Sequence, residues 1–260
     1  MANYSVTLVQ SDIIWENPEV NLRNFETLIR SNQKPTDALL LPEMFATGFS
    51  MNSRQFAEGM DGTSVSWMKQ LAKDTGAAVG GSLIIKEDQS IYNRFIWAKP
   101  EGTLKYYDKR HLFFLERESN AYAPGKQRII VTHNGLRILL ATCYDLRFPV
   151  WLRNRNDYDA IFLIANWPSA RQEVWIKLLF ARAIENQCYV AAVNRIGTDG
   201  NGLTYTGESV IINPKGNIMQ IASVTNEELV TVDLDLNELS AFRKKFPVWL
   251  DADDFELKFK

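Results

Sequence analysis

Ile138-Leu139-Leu140-Ala141-Thr142-Cys143-Tyr144-Asp145-Leu146-Arg147-Phe148-Pro149 is the stretch on which the reading of this chain turns. It begins as an apolar run with the pattern of a strand buried on both faces. Polarity changes abruptly at Cys143, and Pro149 marks a helix start. A thiol at the exit of a buried strand, just before a helix, stands where open α/β sheets present reactive groups. Free backbone N–H groups and a nearby cation would lower its pKa and enrich the thiolate.

Two other segments repeat the arrangement. Leu39-Leu40-Leu41-Pro42 delivers Glu43, and Leu104-Lys105-Tyr106-Tyr107-Asp108 delivers Lys109. Glu43 has apolar neighbours on both sides, which suits a general base or acid. Taken singly, Glu43 could equally face solvent from a loop, and Lys109 could be one member of a solvated basic stretch. Together, a nucleophile, a carboxylate and a cation at three strand ends point to a cysteine hydrolase that works without histidine. Of the two histidines, His133 falls at a hairpin tip and His111 lies two residues past Lys109. Neither is well placed as a base for Cys143. Cys188, at a helix-to-strand junction without a polar turn, reads as a small buried apolar residue.

Further outward, Tyr4–Gln10 alternates like a strand, and Asn17-Pro18 opens a helix to about Ser31 with Val20, Phe25, Leu28 and Ile29 inward. A second helix, capped by Thr63 or Ser64, carries Trp67, Met68 and Leu71 and stops at Gly76. Strands follow at 77–85 and 92–99 around the turn Glu87-Asp88-Gln89, and a hairpin at 129–132 and 137–142 turns on Asn134-Gly135. Two more apolar strands, 160–166 and 189–194, flank a helix at 172–186. A last pair, 209–213 and 218–222, brackets Pro214-Lys215-Gly216-Asn217. The stretch 236–260 is charged and aromatic by turns, able to fold back or to pack on a second subunit. Alternating elements with apolar strands give an α/β fold with helices on both faces, and the hairpins make the sheets mixed.

The 260 residues are 46% apolar and 23% charged with a net charge of −2, which fits one domain spanning 1–260. That balance excludes an electrostatic footprint for nucleic acid or membrane. No apolar run approaches the roughly 20 residues of a membrane helix, and no signal-peptide pattern opens the chain. Two cysteines make no disulfide framework, so a cytoplasmic setting is expected. Cys-x-x-Cys and His-x-x-x-His spacings are missing, and no metal site is expected.

The segments Leu41-Pro42-Glu43-Met44-Phe45, Tyr107-Asp108-Lys109-Arg110-His111-Leu112-Phe113 and Cys143–Pro149 together resemble the nitrilase superfamily of carbon–nitrogen hydrolases. Ala165-Asn166-Trp167-Pro168 and Ala181–Asn186 extend the likeness through nearly the whole chain. Within the superfamily the chain looks closest to the bacterial omega-amidase branch, also through its ending Lys245-Phe246-Pro247-Val248-Trp249-Leu250-Asp251-Ala252-Asp253. The resemblance implies a four-layer α-β-β-α sandwich, a homodimer, no cofactor, and hydrolysis of the terminal amide of 2-oxo dicarboxylic acid monoamides. It makes Glu43 the general base, Lys109 the catalytic lysine, Cys143 the nucleophile and Glu118 a second glutamate, with Glu116 competing. The backbone N–H of Tyr144 would join Lys109 in holding the oxyanion. Arg147 and Arg171 are candidates for the substrate's far carboxylate, although Arg147 could instead pair with Asp145 or Glu185. Trp167 and Phe45 could form walls, with ordinary core packing the competing role, above all for Phe45. Alternatives are an N-carbamoyl or aliphatic amidase of the same fold, and a non-catalytic binding protein.

Overall fold

Residues 3–32 and 34–258 are described by a computed structural model of the chain. Residues 1–2 and 259–260, the ends of the expected domain and of the aromatic C-terminal stretch, lie outside the described residues. Strand β1 (Asn3–Gln10) leads to helix α1 (Pro18–Arg30), where the Asn17 side chain accepts from the Val20 N–H and Pro18 opens the helix, as the Asn-Pro pair predicts. The buried face of α1 is Asn21, Leu22, Phe25 and Ile29, with Val20 and Leu28 at its edges. Asn21 is buried because it works as a clasp: its amide donates to Ile14 O and Ala46 O and accepts from the Ile14 N–H.

Strand β2 (Ala38–Leu40) precedes two helices, α2 (Ser53–Phe56) and α3 (Thr63–Thr75). The expected Thr63 or Ser64 cap is not formed. Gly62 occupies the N-cap position, and the Glu58 carboxylate accepts from the Ser64 N–H at 2.9 Å, so a remote side chain does the capping. Gly76 ends α3 in the left-handed conformation at φ +69°. The hairpin β3 (Ala78–Glu87) and β4 (Ser90–Ala98) runs longer than expected, because Glu87 pairs with Ser90 and only two residues turn. Then come β5 (Leu104–Asp108), β6 (Ile130–His133), β7 (Leu136–Thr142), the short helix α4 (Pro149–Leu152), β8 (Ala160–Ala165), α5 (Gln172–Asn186) and β9 (Tyr189–Asn194). The chain closes with β10 (Ile196–Thr198), β11 (Thr204–Thr206), β12 (Val210–Ile212), β13 (Ile218–Ile221), β14 (Glu228–Asp235) and α6 (Leu236–Lys245).

Two six-stranded mixed sheets result, ordered β14-β1-β2-β3-β4-β5 and β13-β12-β9-β8-β7-β6, with β10-β11 a separate hairpin. The sheets face each other over Tyr4, Trp97 and Phe162, whose rings meet at 5.8–6.3 Å. Helices α1 and α3 cover the outer face of the first sheet, burying Phe25, Ile29, Val65 and Met68 against Val9, Leu39 and Val79. Helix α5 covers the second with Trp175, Leu179 and Ala183. This is the expected α-β-β-α sandwich. Strands β2, β8 and β9 are buried at every residue, which is why they read as apolar runs rather than alternating ones.

Candidate active site

The exits of β2 and β5 in the first sheet meet the exit of β7 in the second. Glu43 follows β2 through Leu41, whose N–H still bonds Gly80 O, and Lys109 follows β5 with its N–H on Asn93 O at 2.9 Å. Cys143 follows β7 and heads a 3-10 turn over Cys143–Arg147. Glu43, Lys109 and Glu118 are all buried, at 0%, 1% and 0% exposure, which removes the solvent-facing alternatives for Glu43 and Lys109. Lys109 Nζ contacts Glu43 Oε1 at 2.9 Å and Glu118 Oε1 and Oε2 at 3.0 and 2.9 Å. Glu116 lines the pocket, whereas Glu118 pairs with Lys109 and is the second glutamate of the cluster.

Glu43 is held on both oxygens. Oε1 takes Lys109 and the Asn93 amide (2.7 Å), and Oε2 takes the Asn166 N–H (2.9 Å). Asn166 also donates its side-chain amide to Glu43 O at 2.6 Å, while its own carbonyl lies 3.8 Å from Cys143 Sγ. Three non-glycine residues with positive φ surround this cluster: Met44 (+44°), Arg117 (+52°) and Cys143 (+44°). Such backbone is unfavourable for side chains with a Cβ and persists only where surrounding bonds enforce it. Each of the three is either the thiol residue or the sequence neighbour of a buried glutamate.

Electrostatics correct one expectation. Burial pushes the Cys143 thiol well above its ordinary pKa; Glu43 adds to this as a charge and as a hydrogen-bond partner, and Lys109 only partly opposes it. These surroundings favour the thiol over the thiolate, opposite to the expected enrichment. For Lys109, burial works against the ammonium, but Glu118 and Glu43 overcome it and hold the pKa above its ordinary value. A lysine so held is a poor proton acceptor, and the carboxylates beside it are the groups able to take one. Burial also raises Glu118, with Lys109 pulling down and Glu43 pushing up.

The pocket over Cys143 is lined by Phe49, Phe113, Tyr144, Arg147, Trp167, Arg171, Leu203 and Tyr205, among others. Arg147 lies over the Trp167 ring at 5.2 Å and Arg171 over the Phe113 ring at 5.2 Å. The ion pair considered for Arg147 is not formed: Glu185 pairs with Arg182, and Asp145 is taken by Tyr107, His111 and the Thr142 N–H. Phe45 is not a wall. It is fully buried between Phe25 and Trp67 on the helix side of the first sheet, because the turn at Met44 sends it away from the pocket. Phe49 takes that place, 4.9 Å from Lys109 Nζ. Sequence reasoning gave no role to Asn93 and overlooked Phe49, Leu203 and Tyr205. Only the Asn-Trp-Pro motif at Asn166 signalled the loop. Nor did any sequence pattern signal the β10-β11 hairpin that carries Leu203 and Tyr205 inward. A roomier groove beside α6, lined by Arg137, Asp159, Arg243 and Trp249, holds no cysteine, and Asp159 already pairs with both arginines. No cluster of three metal-ligating side chains and no helix long and apolar enough to cross a membrane occurs among the described residues.

A four-layer sandwich whose sheet junction holds a thiol, a lysine and two glutamates defines the nitrilase class of α/β proteins. The chain belongs to the carbon–nitrogen hydrolase family, whose profile matches residues 5–244. It is 43% identical over 257 residues to omega-amidase YafV of Escherichia coli K12, covering 99% of this chain and all of that one. It is 34% identical over 253 residues to the 2-oxoglutaramate amidase of Bacillus subtilis, covering 95% and 97%. Among solved structures, XC1258 of Xanthomonas campestris, a CN-hydrolase superfamily protein with an arsenic adduct in its active site, superposes with a TM-score of 0.96 at 42% identity, covering 99% and 100%.

Proposed function

We propose that this chain is an omega-amidase that hydrolyses the terminal amide of 2-oxo dicarboxylic acid monoamides, such as 2-oxoglutaramate, to the dicarboxylate and ammonia. The observation that carries the proposal is the pairing of Cys143 with Arg147 and Arg171 in one pocket. Among the described residues neither arginine is ion-paired, which suits a substrate whose far end is a carboxylate. The names of the relatives, omega-amidase and 2-oxoglutaramate amidase, support the same substrate class.

In the proposed mechanism Glu43 takes the thiol proton as Cys143 Sγ attacks the amide carbon, and the resulting oxyanion is held by Lys109 and the Tyr144 N–H. Glu118 grips Lys109 through both oxygens, so yielding one contact frees an N–H for the oxyanion. Glu43 then gives its proton to the departing ammonia, leaving a thioester on Cys143. Water activated by Glu43 hydrolyses the thioester, and the thiol is restored. Trp167 and Phe113, stacked under the arginines, wall the pocket. A cytoplasmic homodimer of one domain per chain belongs to the same proposal and rests on the family resemblance; light scattering checks the dimer.

The test is ammonia release from 2-oxoglutaramate by wild type beside Cys143→Ala. Release by wild type alone supports the proposal. Release by both would sink the nucleophile assignment, and carbon dioxide released with ammonia from a carbamoyl amino acid would move the substrate class.

A further inference from the structure

We propose that Asp145 is a positioning residue that sets the placement of Cys143 relative to Lys109 across the two sheets; this rests on the reading of Cys143 as the nucleophile. Its carboxylate is fully buried and accepts four hydrogen bonds. Oδ1 takes the His111 N–H at 3.0 Å and His111 Nδ1 at 2.8 Å. Oδ2 takes the Tyr107 hydroxyl at 2.7 Å and the Thr142 N–H at 3.0 Å. Because a carboxylate cannot donate, Nδ1 of His111 carries the proton.

The four donors come from both sheets. Tyr107 is the next-to-last residue of β5 and His111 lies two residues past Lys109, so the residues bracketing Lys109 are fastened from the first sheet. Thr142 ends β7, and Thr142 and Asp145 close the turn around Cys143 in the second. That turn holds Cys143 at φ +44°, a conformation that needs external bonds to persist. The lysine side is tightened further: the Tyr107 hydroxyl accepts from the Arg110 N–H at 3.1 Å and from Trp151 Nε1 at 3.0 Å. The His111 ring lies flat on Phe148 at 3.7 Å. One carboxylate thus joins the two strand ends that carry the lysine and the thiol.

Asparagine at this position has the same shape but only one acceptor oxygen, and its amide hydrogens would face donors. Asp145→Asn is expected to lower kcat about 100-fold with KM changed less than about 3-fold, the scale of an ångström-level misplacement. Alkylation of Cys143 by iodoacetamide should slow in parallel, while circular dichroism and the melting midpoint show a folded protein at the assay temperature. Tyr107→Phe, which removes one donor of the four, should lower kcat about 5-fold. If Asp145→Asn does not fold, Tyr107→Phe and His111→Ala carry the test through the same two readouts. Folded variants with kcat and alkylation rates within about 2-fold of wild type would overturn the proposal, as would a lower kcat matched by fewer alkylatable sites reacting at the normal rate. A wild type silent on every amide would sink the substrate reading instead, and the alkylation rates would still decide the role of Asp145.

Discussion

Cys143 and Cys188 are chemically alike, yet Cys143 is half-buried at a pocket and Cys188 fully buried in the core, and they differ in what lies beside them. Each sulfur sits 3.8 Å from a backbone carbonyl, of Asn166 and Arg182 respectively. Burial pushes both thiols up, Cys188 to about 12 and Cys143 well above its ordinary value. Cys143, however, reaches the pocket and lies in the field of the Glu43 carboxylate and of Lys109. Cys188 is sealed in the core behind α5, where the charges of Arg243, Glu185 and Asp159 act on it but the pocket does not reach the sulfur. A raised thiol pKa is therefore common to an inert and a reactive setting; access to the pocket and the lysine–glutamate cluster beside it separate them.

The largest expected effect breaks the pair outright. Cys143→Ala should lower kcat by about 10⁴-fold or more, whereas Cys188→Ala should stay within about 2-fold and cost about 1 kcal/mol of stability. Kinetics and urea denaturation of both variants check this, and comparable losses of kcat in the two would erase the distinction. Next, Glu43→Gln removes the proton acceptor that Cys188 also lacks. Its kcat should fall about 10³-fold, while iodoacetamide should still alkylate Cys143, which faces the pocket, faster than the sealed Cys188. Lys109→Ala should lower kcat about 10²-fold through the lost oxyanion contact. It should also destabilise the protein by about 3–5 kcal/mol, because two buried carboxylates lose their counter-charge. A urea midpoint unchanged by that substitution would contradict the buried triad.

The smallest and most diagnostic test is a pH profile. A raised thiol pKa leaves little thiolate at neutral pH, and each unit of pH raises the thiolate fraction tenfold until the pKa is passed. In Glu43→Gln, Cys143 alkylation should therefore keep climbing beyond pH 9, since burial, the largest cause of the shift, is untouched. A plateau at or below pH 8 would mean that the thiol is not pushed up by its surroundings.

Much of the fold was legible because its signals are local. The apolar runs at 138–142, 160–165 and 189–194 became central strands, and Asn17-Pro18 and Asn134-Gly135 became a helix start and a tight turn. The Thr63/Ser64 cap failed because Glu58, six residues before Ser64, accepts the N–H instead. Of the site, the chain order placed Glu43, Lys109 and Cys143 at strand exits, but it could not choose between Glu118 and Glu116. That choice rests on which carboxylate beside Arg117 turns inward, and no composition rule indicates the left-handed backbone of Arg117. Phe45 and Phe49 look interchangeable in sequence, and the turn at Met44 assigns one to the core and the other to the pocket.

By itself the sequence determined two layers of buried strands, their helices, and three chemically distinct side chains at strand ends, since hydrophobic period and turn residues act over neighbours. Only the tertiary structure decided the partners and the charge state. Glu43 meets Asn93, Lys109 and Asn166 at sequence separations of 50, 66 and 123 residues. The direction of the Cys143 shift, opposite to the one expected, follows from the same cause. Desolvation and opposing charges sum over everything packed around the sulfur, and that sum exists only once the two sheets have met.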